Sequence, residues 1–331
     1  PAQTKARRLY TYGRSRLYEM LWKPMESCLE GVKTVYYSPT AFLHRVAFAA
    51  IPVDKDTRLI DRYDLRYLST TAQLLRERRP GRAQSAAVFG GMYYSPEHAF
   101  LAEGGQKAEY RAAMEETFPY LEETRAEADT ISKDMKYGGI DIKRYVAENA
   151  TEPNFYALDG QSTDIIHLAT HGFYIDEKDV AANAFLANHP GDRYSSMQRT
   201  GLTFDGANAT WLGQKKPDRE DGILTAAELS TLDLGRAQLV TLSACETALG
   251  DYSTEGVYGL QRGFKEAGAR TLILSLWNVS DRATSLFMQD FYSRWLAGMS
   301  KHDAFTQAVA QLRATHPDPF FWAAFVMLDP E

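Results

Sequence analysis

The sequence predicts an α/β fold in which helices cover both faces of a mostly parallel sheet. Three observations predict it. Short apolar runs of strand length recur along the chain, amphipathic stretches of helix length alternate with them, and Gly, Pro or a capping residue separates the two kinds. Such alternation makes βαβ units, and ligands of these sheets bind outside the carboxyl ends of the strands.

Taken in order, Leu9, Leu17, Leu21, Met25 and Leu29 recur at roughly helical spacing with a kink at Pro24, which predicts a leading amphipathic helix. Residues 32–37 and 86–89 read as strands, the second ending in Gly90-Gly91. Residues 107–136 read as a long charged helix broken by Pro119 and closed by Gly138-Gly139. Strand 140–146, short helix 152–158 and strand 164–170 follow, the last apolar enough to lie covered on both faces. Residues 173–222 are acidic, glycine-containing and poor in periodic apolar pairs, so they predict a long irregular excursion with one short strand near 202–204. Thr225-Ala-Ala-Glu228 has the spacing of a capping box. Residues 239–243 form the next strand, and 255–267 carry Val257, Leu260, Phe264 and Ala267 on one helical face before Gly268. Strand 271–277, helices 281–297 and 301–314, the latter capped by Ser300, and a final strand 322–328 complete the series.

Composition excludes several classes. A 331-residue chain with 44% hydrophobic and 24% charged residues can bury a sizeable core. A net charge of −6 without a basic stripe argues against nucleic acid, and the Arg-rich run 74–82 reads as a solvated helix end, with a binding patch as the minor alternative. Two cysteines make no disulfide framework and fit a reducing compartment, so the cytoplasm is the expected location. No run reaches the ~18 apolar residues of a membrane span, and the polar, basic start has no apolar signal core. The chain begins at Pro1 rather than methionine, which suggests that the natural protein continues upstream.

Two predicted strands end in reactive side chains, one in His171 and the other in Cys245. If they are parallel neighbours, both side chains emerge at one edge of the sheet. A free thiol has a pKa near ~8.5, so a nearby imidazole is needed to take its proton or to stabilise the anion. Acyl transfer also needs oxyanion donors, and the backbone N–H groups of Gly172 and Cys245 are the candidates. The bland alternative makes Cys245 a small buried hydrophobe and His171 a turn residue. His167 shares a face with His171, but Leu168 stands where the zinc-helix motif would need Glu, so it reads as a core histidine. Asp164 begins the strand that His171 ends, ~20 Å away at strand rise, too far to orient the imidazole.

Longer words decide between these readings. Segments 165–172 (IIHLATHG), 239–250 (LVTLSACETALG), 263–277 (GFKEAGARTLILSLW) and 319–328 (PFFWAAFVML) closely resemble, in order and spacing, the CHAT domain, a caspase-like cysteine peptidase family associated with tetratricopeptide repeats. A weaker resemblance runs through 32–39 and 60–75. It implies a caspase-like three-layer αβα sandwich around a mostly parallel sheet. Residues 1–30 would then be a leading helical segment from the end of an upstream region, 31–150 an N-terminal pseudo-half and 151–331 the catalytic half. His171 and Cys245 fall on the family's catalytic positions, and the resemblance implies neither metal nor organic cofactor. It further implies a protein substrate and control by an upstream or partner sensor domain, such as tetratricopeptide repeats. The family includes members that cut partner proteins in bacterial defence and others known as regulatory or signalling modules. The expected function is therefore a regulated cysteine endopeptidase, with a non-catalytic interaction module as the alternative; a Cys-dependent acyl transferase or amidase on small molecules fits less well.

Specificity is less legible. Ser243 stands two residues before Cys245, where some distant caspase relatives carry an acid for Arg or Lys. Segment 276–281 is similar to one that supplies an acidic pocket floor for arginine in separases, which makes Asp281 a candidate for binding a basic side chain; the competing reading makes it the N-cap of the next helix. Trp277 is then a pocket wall or core, and Glu246 a shaper of the loop or of the first substrate pocket. Arg193, Arg199, Lys215, Lys216 and Arg219 in the excursion are sites of self-processing or plain surface charges.

Overall fold

The structure is a computed structural model and describes residues 2–76, 81–102, 117–188, 192–215, 218, 220–243, 250–253, 256–277 and 279–329. Its first strands are β1 (Thr34–Tyr37), β2 (Asp64–Tyr67), β3 (Ser85–Gly90), β4 (Asp141–Val146) and β5 (Ile165–Ala169). Three short ones follow, β6 (Gly172–Tyr174), β7 (Thr200–Thr203) and β8 (Ile223–Thr225). The last are β9 (Leu239–Ser243), β10 (Gly250–Ser253), β11 (Gly256–Gly259), β12 (Thr271–Ser275) and β13 (Phe325–Leu328).

Eight of them form one sheet in the order β1-β2-β13-β12-β9-β5-β3-β4. All neighbours run parallel except β12 and β13, so the sheet divides at that seam into two blocks of opposite direction. β5, β9 and β12 have a strand on either side within the sheet and are buried at every residue. This is why they read as unbroken apolar runs rather than alternating ones.

Helices cover both faces. On one, His167 of β5 and its register partner Thr241 of β9 meet the helices Glu122–Tyr137 and Asp281–Leu296, and the Lys301–Thr315 helix packs beside the latter. On the other, Phe89 of β3 meets Phe155 of the Glu152–Tyr156 helix, with ring centroids 5.9 Å apart. The sandwich expected from the sequence is the one observed.

One close approach matters for the site. A Cβ built on Gly90 would stand 2.6 Å from the Thr124 carbonyl oxygen, and one on Gly91, whose φ is +63°, 2.7 Å from Arg125 Cβ. The glycine pair thus lets the first turn of the Glu122–Tyr137 helix sit directly on the end of β3, where Gly91 N–H donates to Thr124 Oγ1 at 3.1 Å. That docking brings Pro119 and Glu127 to the carboxyl edge of the sheet.

Several boundaries differ from expectation, each for a local reason. The expected helix over 9–29 is not formed: the α-helix here is Ala2–Leu9, and the chain then turns through Gly13 (φ +76°) into a π-helical turn at Tyr18–Trp22 and a 3-10 stretch at Lys23–Cys28. Its anchors are the buried Tyr10, Tyr18 and Trp22, while Met25 of the leucine-like stripe is exposed. The charged helix begins at Glu122, after Pro119; its expected start at 107 lies outside the described residues. The excursion is more ordered than expected: β6, β7 and β8 make a small antiparallel sheet, and Trp211 packs against Phe118, Phe173 and Phe185. Residues 256–259 are strand rather than helix, paired with β10; Gly256 and Gly259 are poor helix formers, and the helix starts at Leu260. Residues 319–322 are a helical turn with Pro319 at its start and Asp318 as cap, so the last strand begins only at Phe325. The capping box at Thr225–Glu228 and the Ser300 cap are both present.

Candidate active site

β5 and β9 are parallel neighbours, with Ala169 paired to Ser243. In sequence, His171 follows the first by two residues and Cys245 follows the second by two, and the structure describes His171 at the carboxyl edge of the sheet. Cys245 and Glu246 themselves lie outside the described residues.

The surroundings of His171 are well defined. Its Nε2 lies 2.7 Å from the Pro119 carbonyl oxygen. A carbonyl can only accept, so Nε2 carries the hydrogen and Nδ1 is the basic nitrogen of the ring. Tyr94 and Phe118 wall the ring at centroid distances of 4.9 and 5.4 Å. Burial pushes the imidazole pKa down to about 4, partly offset by the Pro119 bond, so the ring is neutral at pH 7. A neutral ring with its donor side engaged is suited to accept a proton at Nδ1.

The excursion supports this arrangement. Asn208 accepts from Phe118 N at 2.8 Å and donates to Phe118 O at 3.1 Å, clamping the peptide next to Pro119. Thr170 Oγ1 donates to Thr203 O at 2.6 Å and lies 3.0 Å from Tyr94 OH. Because Asn208 is buried, Asn208→Ala removes two partners at once; it should lower stability by about 1–3 kcal/mol in thermal melts and loosen the Pro119 carbonyl from His171.

Gly172 occupies a position of β6 whose amide does not bond β7. The β6–β7 ladder is hydrogen-bonded at His171–Thr203 and at Ile175–Arg199, so Gly172, opposite Leu202, is a non-bonded pair whose N–H points away from β7.

Asp281 is the first residue of its helix, and Ser280 is the N-cap, its Oγ accepting from Ala283 N at 3.4 Å. The capping alternative therefore belongs to Ser280. Asp281 lines a cavity of about 10 Å³ together with Glu127, Thr170, Ser243, Ser275 and Thr284, at the carboxyl ends of β5, β9 and β12. Burial, then the charges of Glu127, Glu123 and Glu122, push its carboxyl pKa up. Trp277 is not brought to this cavity: its indole N–H donates to Phe320 O at 2.8 Å and its ring stacks on Tyr10 at 6.0 Å.

His167 is a core histidine, bonded to Glu127 and Thr241. Asp164 serves the far end of the strand, where its Oδ2 accepts from Gln84 N at 2.8 Å and Ser85 N at 3.1 Å. Among the described residues no group of three His, Cys, Asp or Glu could hold a metal ion, and no helix is long and apolar enough to cross a membrane. Sequence reasoning missed Pro119, Asn208 and Glu127. A carbonyl has no sequence signature, but Glu127 shares the helix face of the apolar Ala128, Ile131 and Met135, and that was readable.

Comparison with known proteins gives the family and the fold. Residues 14–329 match the CHAT domain family. Tetratricopeptide repeat protein 28 from Mus musculus is 33% identical over 114 residues, and its Homo sapiens counterpart 32%; the match covers 34% of this chain and 5% of either relative. Among solved structures, the Arg-specific cysteine proteinase gingipain R superposes with a TM-score of 0.51 at 8% identity, over 99% of this chain and 67% of that one. Saccharomyces cerevisiae separase, in its securin complex, gives 0.43 at 11% identity over 80% of this chain and 14% of its own.

Proposed function

The chain belongs to the CHAT domain family, and from that premise we propose that it is a regulated cysteine endopeptidase acting on a protein substrate through Cys245 and His171. The observation that carries this reading is the hydrogen bond from His171 Nε2 to the Pro119 carbonyl, which leaves Nδ1 as a neutral base at the edge where β9 leads to Cys245.

In this mechanism His171 Nδ1 takes the thiol proton as the sulfur attacks the peptide carbonyl carbon. The resulting oxyanion accepts hydrogen bonds from the N–H groups of Gly172 and Cys245. His171 then protonates the leaving amine as the C–N bond breaks, and a water activated by the same nitrogen hydrolyses the thioester. Asp281 is the candidate floor for a basic side chain, and Glu246 a candidate shaper of the pocket.

The small cavity beside Asp281 supports control of this activity. Its roughly 10 Å³ holds about one water, not a lysine or arginine side chain, so substrate entry requires the pocket walls to part. An upstream or partner sensor, such as the repeats of the tetratricopeptide relatives, would favour that opening, and the chain alone would open rarely enough to show a low basal activity. A peptide electrophile with a basic side chain should label Cys245 in the wild type and leave Cys245→Ala unlabelled. Absence of labelling, with cellular function intact in Cys245→Ala, would favour a non-catalytic interaction module instead.

A further inference from the structure

Glu127 is an acid where the helix pattern calls for an apolar side chain. It is 1% exposed and projects from the buried stripe of the Glu122–Tyr137 helix toward β5. Its Oε1 accepts from His167 Nε2 at 2.9 Å. His167 Nδ1 lies 2.7 Å from Thr241 Oγ1, which lies 2.7 Å from Tyr292 OH. All four side chains are buried, so this chain of polar groups fixes the carboxylate firmly.

The other side of the carboxylate borders the cavity that Asp281 lines from the facing helix. Two acids across a space of one water repel each other, and the charge of Glu127 is felt at Asp281. A cation lying between its members would offset that repulsion. A guanidinium, with donors on both edges of a planar fork, can bond the two carboxylates at once. The cavity is also bounded by Ser243, which stands two residues before Cys245 in the sequence.

We infer that Glu127 is a specificity-determining residue of the substrate pocket, sharing with Asp281 the positive charge of an arginine or lysine, and that His167 is the positioning residue that holds it. The inference rests on the endopeptidase reading and deepens it by naming the second acid of the pocket.

The test uses the full chain and peptides that carry Arg, Lys, citrulline or norleucine before the cleaved bond. Citrulline keeps the shape of arginine without its charge. In the wild type kcat/KM should favour Arg over citrulline. Glu127→Gln should lower kcat/KM for Arg by about 10- to 100-fold and for citrulline far less, so their ratio falls at least about tenfold. Glutamine keeps the volume, but it meets His167 differently, so a second variant guards against misfolding. Thr284→Lys places a cation at the half-buried rim of the cavity and should also collapse the ratio. An Arg-to-citrulline ratio unchanged in both variants overturns the inference. Cleavage by the wild type without any preference for basic residues overturns the pocket assignment and leaves the endopeptidase standing. No cleavage and no labelling of Cys245 removes both.

Discussion

Cys245→Ala and His171→Ala should each lower peptide turnover by about 10³-fold or more, and the double variant should be no slower than either single one. Residues that act as one unit are non-additive, because removing either member already destroys the proton transfer that the other serves. The pH profile adds a sharper expectation. The base must be neutral, and burial holds the His171 pKa near about 4 instead of the ordinary 6.5. The acid limb of kcat/KM should therefore lie well below pH 6, with rates nearly level from there to neutrality. The same shift weakens the fold in acid: the unfolded chain binds its proton near 6.5 and the folded one near 4, so stability falls between those values as pH drops. An acid limb at 6.5 would mean that the ring is solvated in the working enzyme, and single variants that compound in the double would mean that Cys245 and His171 act separately.

How much of this was legible in the sequence depended on whether a signal was local. Strands β5, β9 and β12 were readable because burial on both faces leaves only apolar and small residues. Helix starts at Thr225 and Ser300 were readable because a cap is a side chain meeting backbone three residues on. The excursion was not, since Phe173, Phe185 and Trp211 hold it through contacts with one another and with Phe118, far apart in the chain and without period. The break in the leading helix at Tyr10 was hidden too; the leucine spacing suggested a stripe, whereas the tyrosine's hydroxyl accepts from Ala47 N at 2.9 Å, a partner 37 residues away. Asp318-Pro319 did announce a helical turn, and the apolar run after it masked the signal.

The site divides in the same way. His171, Gly172 and Cys245 sit in words specific enough to name the family, and the parallel pairing of β5 with β9 follows from the alternation of strands and helices. Pro119 contributes a carbonyl, a group every residue owns, so only the docking of its helix on Gly90-Gly91 reveals which one faces the imidazole. Glu127 lay in plain sight as an acid on an apolar stripe, but its meaning needed Asp281, more than 150 residues away, to appear across the cavity.

Glu152→Gln should make the protein less sensitive to alkali. Glu152 is 1% exposed; its Oε2 accepts from Gly222 N at 2.9 Å, and its Oε1 has no partner among the described residues. Burial, then the charges of Asp221 and Glu228, push its carboxyl pKa up to about 9, while burial raises the neighbouring Asp221 to about 7. In the folded state Glu152 thus keeps its proton where the unfolded chain, near 4.5, has lost it. Its contribution is fully present below 4.5 and is lost as pH rises toward 9, so wild-type stability should decline across that window by on the order of a few kcal/mol. Glutamine cannot ionise, and its carbonyl can still accept from Gly222. The difference in melting temperature between variant and wild type should therefore grow in the variant's favour from pH 5 to pH 8.5, a comparison in which the titrations shared by both proteins cancel. The consequence reaches the active site because Gly222 leads into β8, β8 pairs with β7, and β7 pairs with β6, which begins at Gly172. If ionised Glu152 releases that return strand, wild-type turnover should fall at high pH ahead of Glu152→Gln. Parallel melting curves across the pH range would show that Glu152 titrates as an ordinary surface acid and that the strand is held by other means.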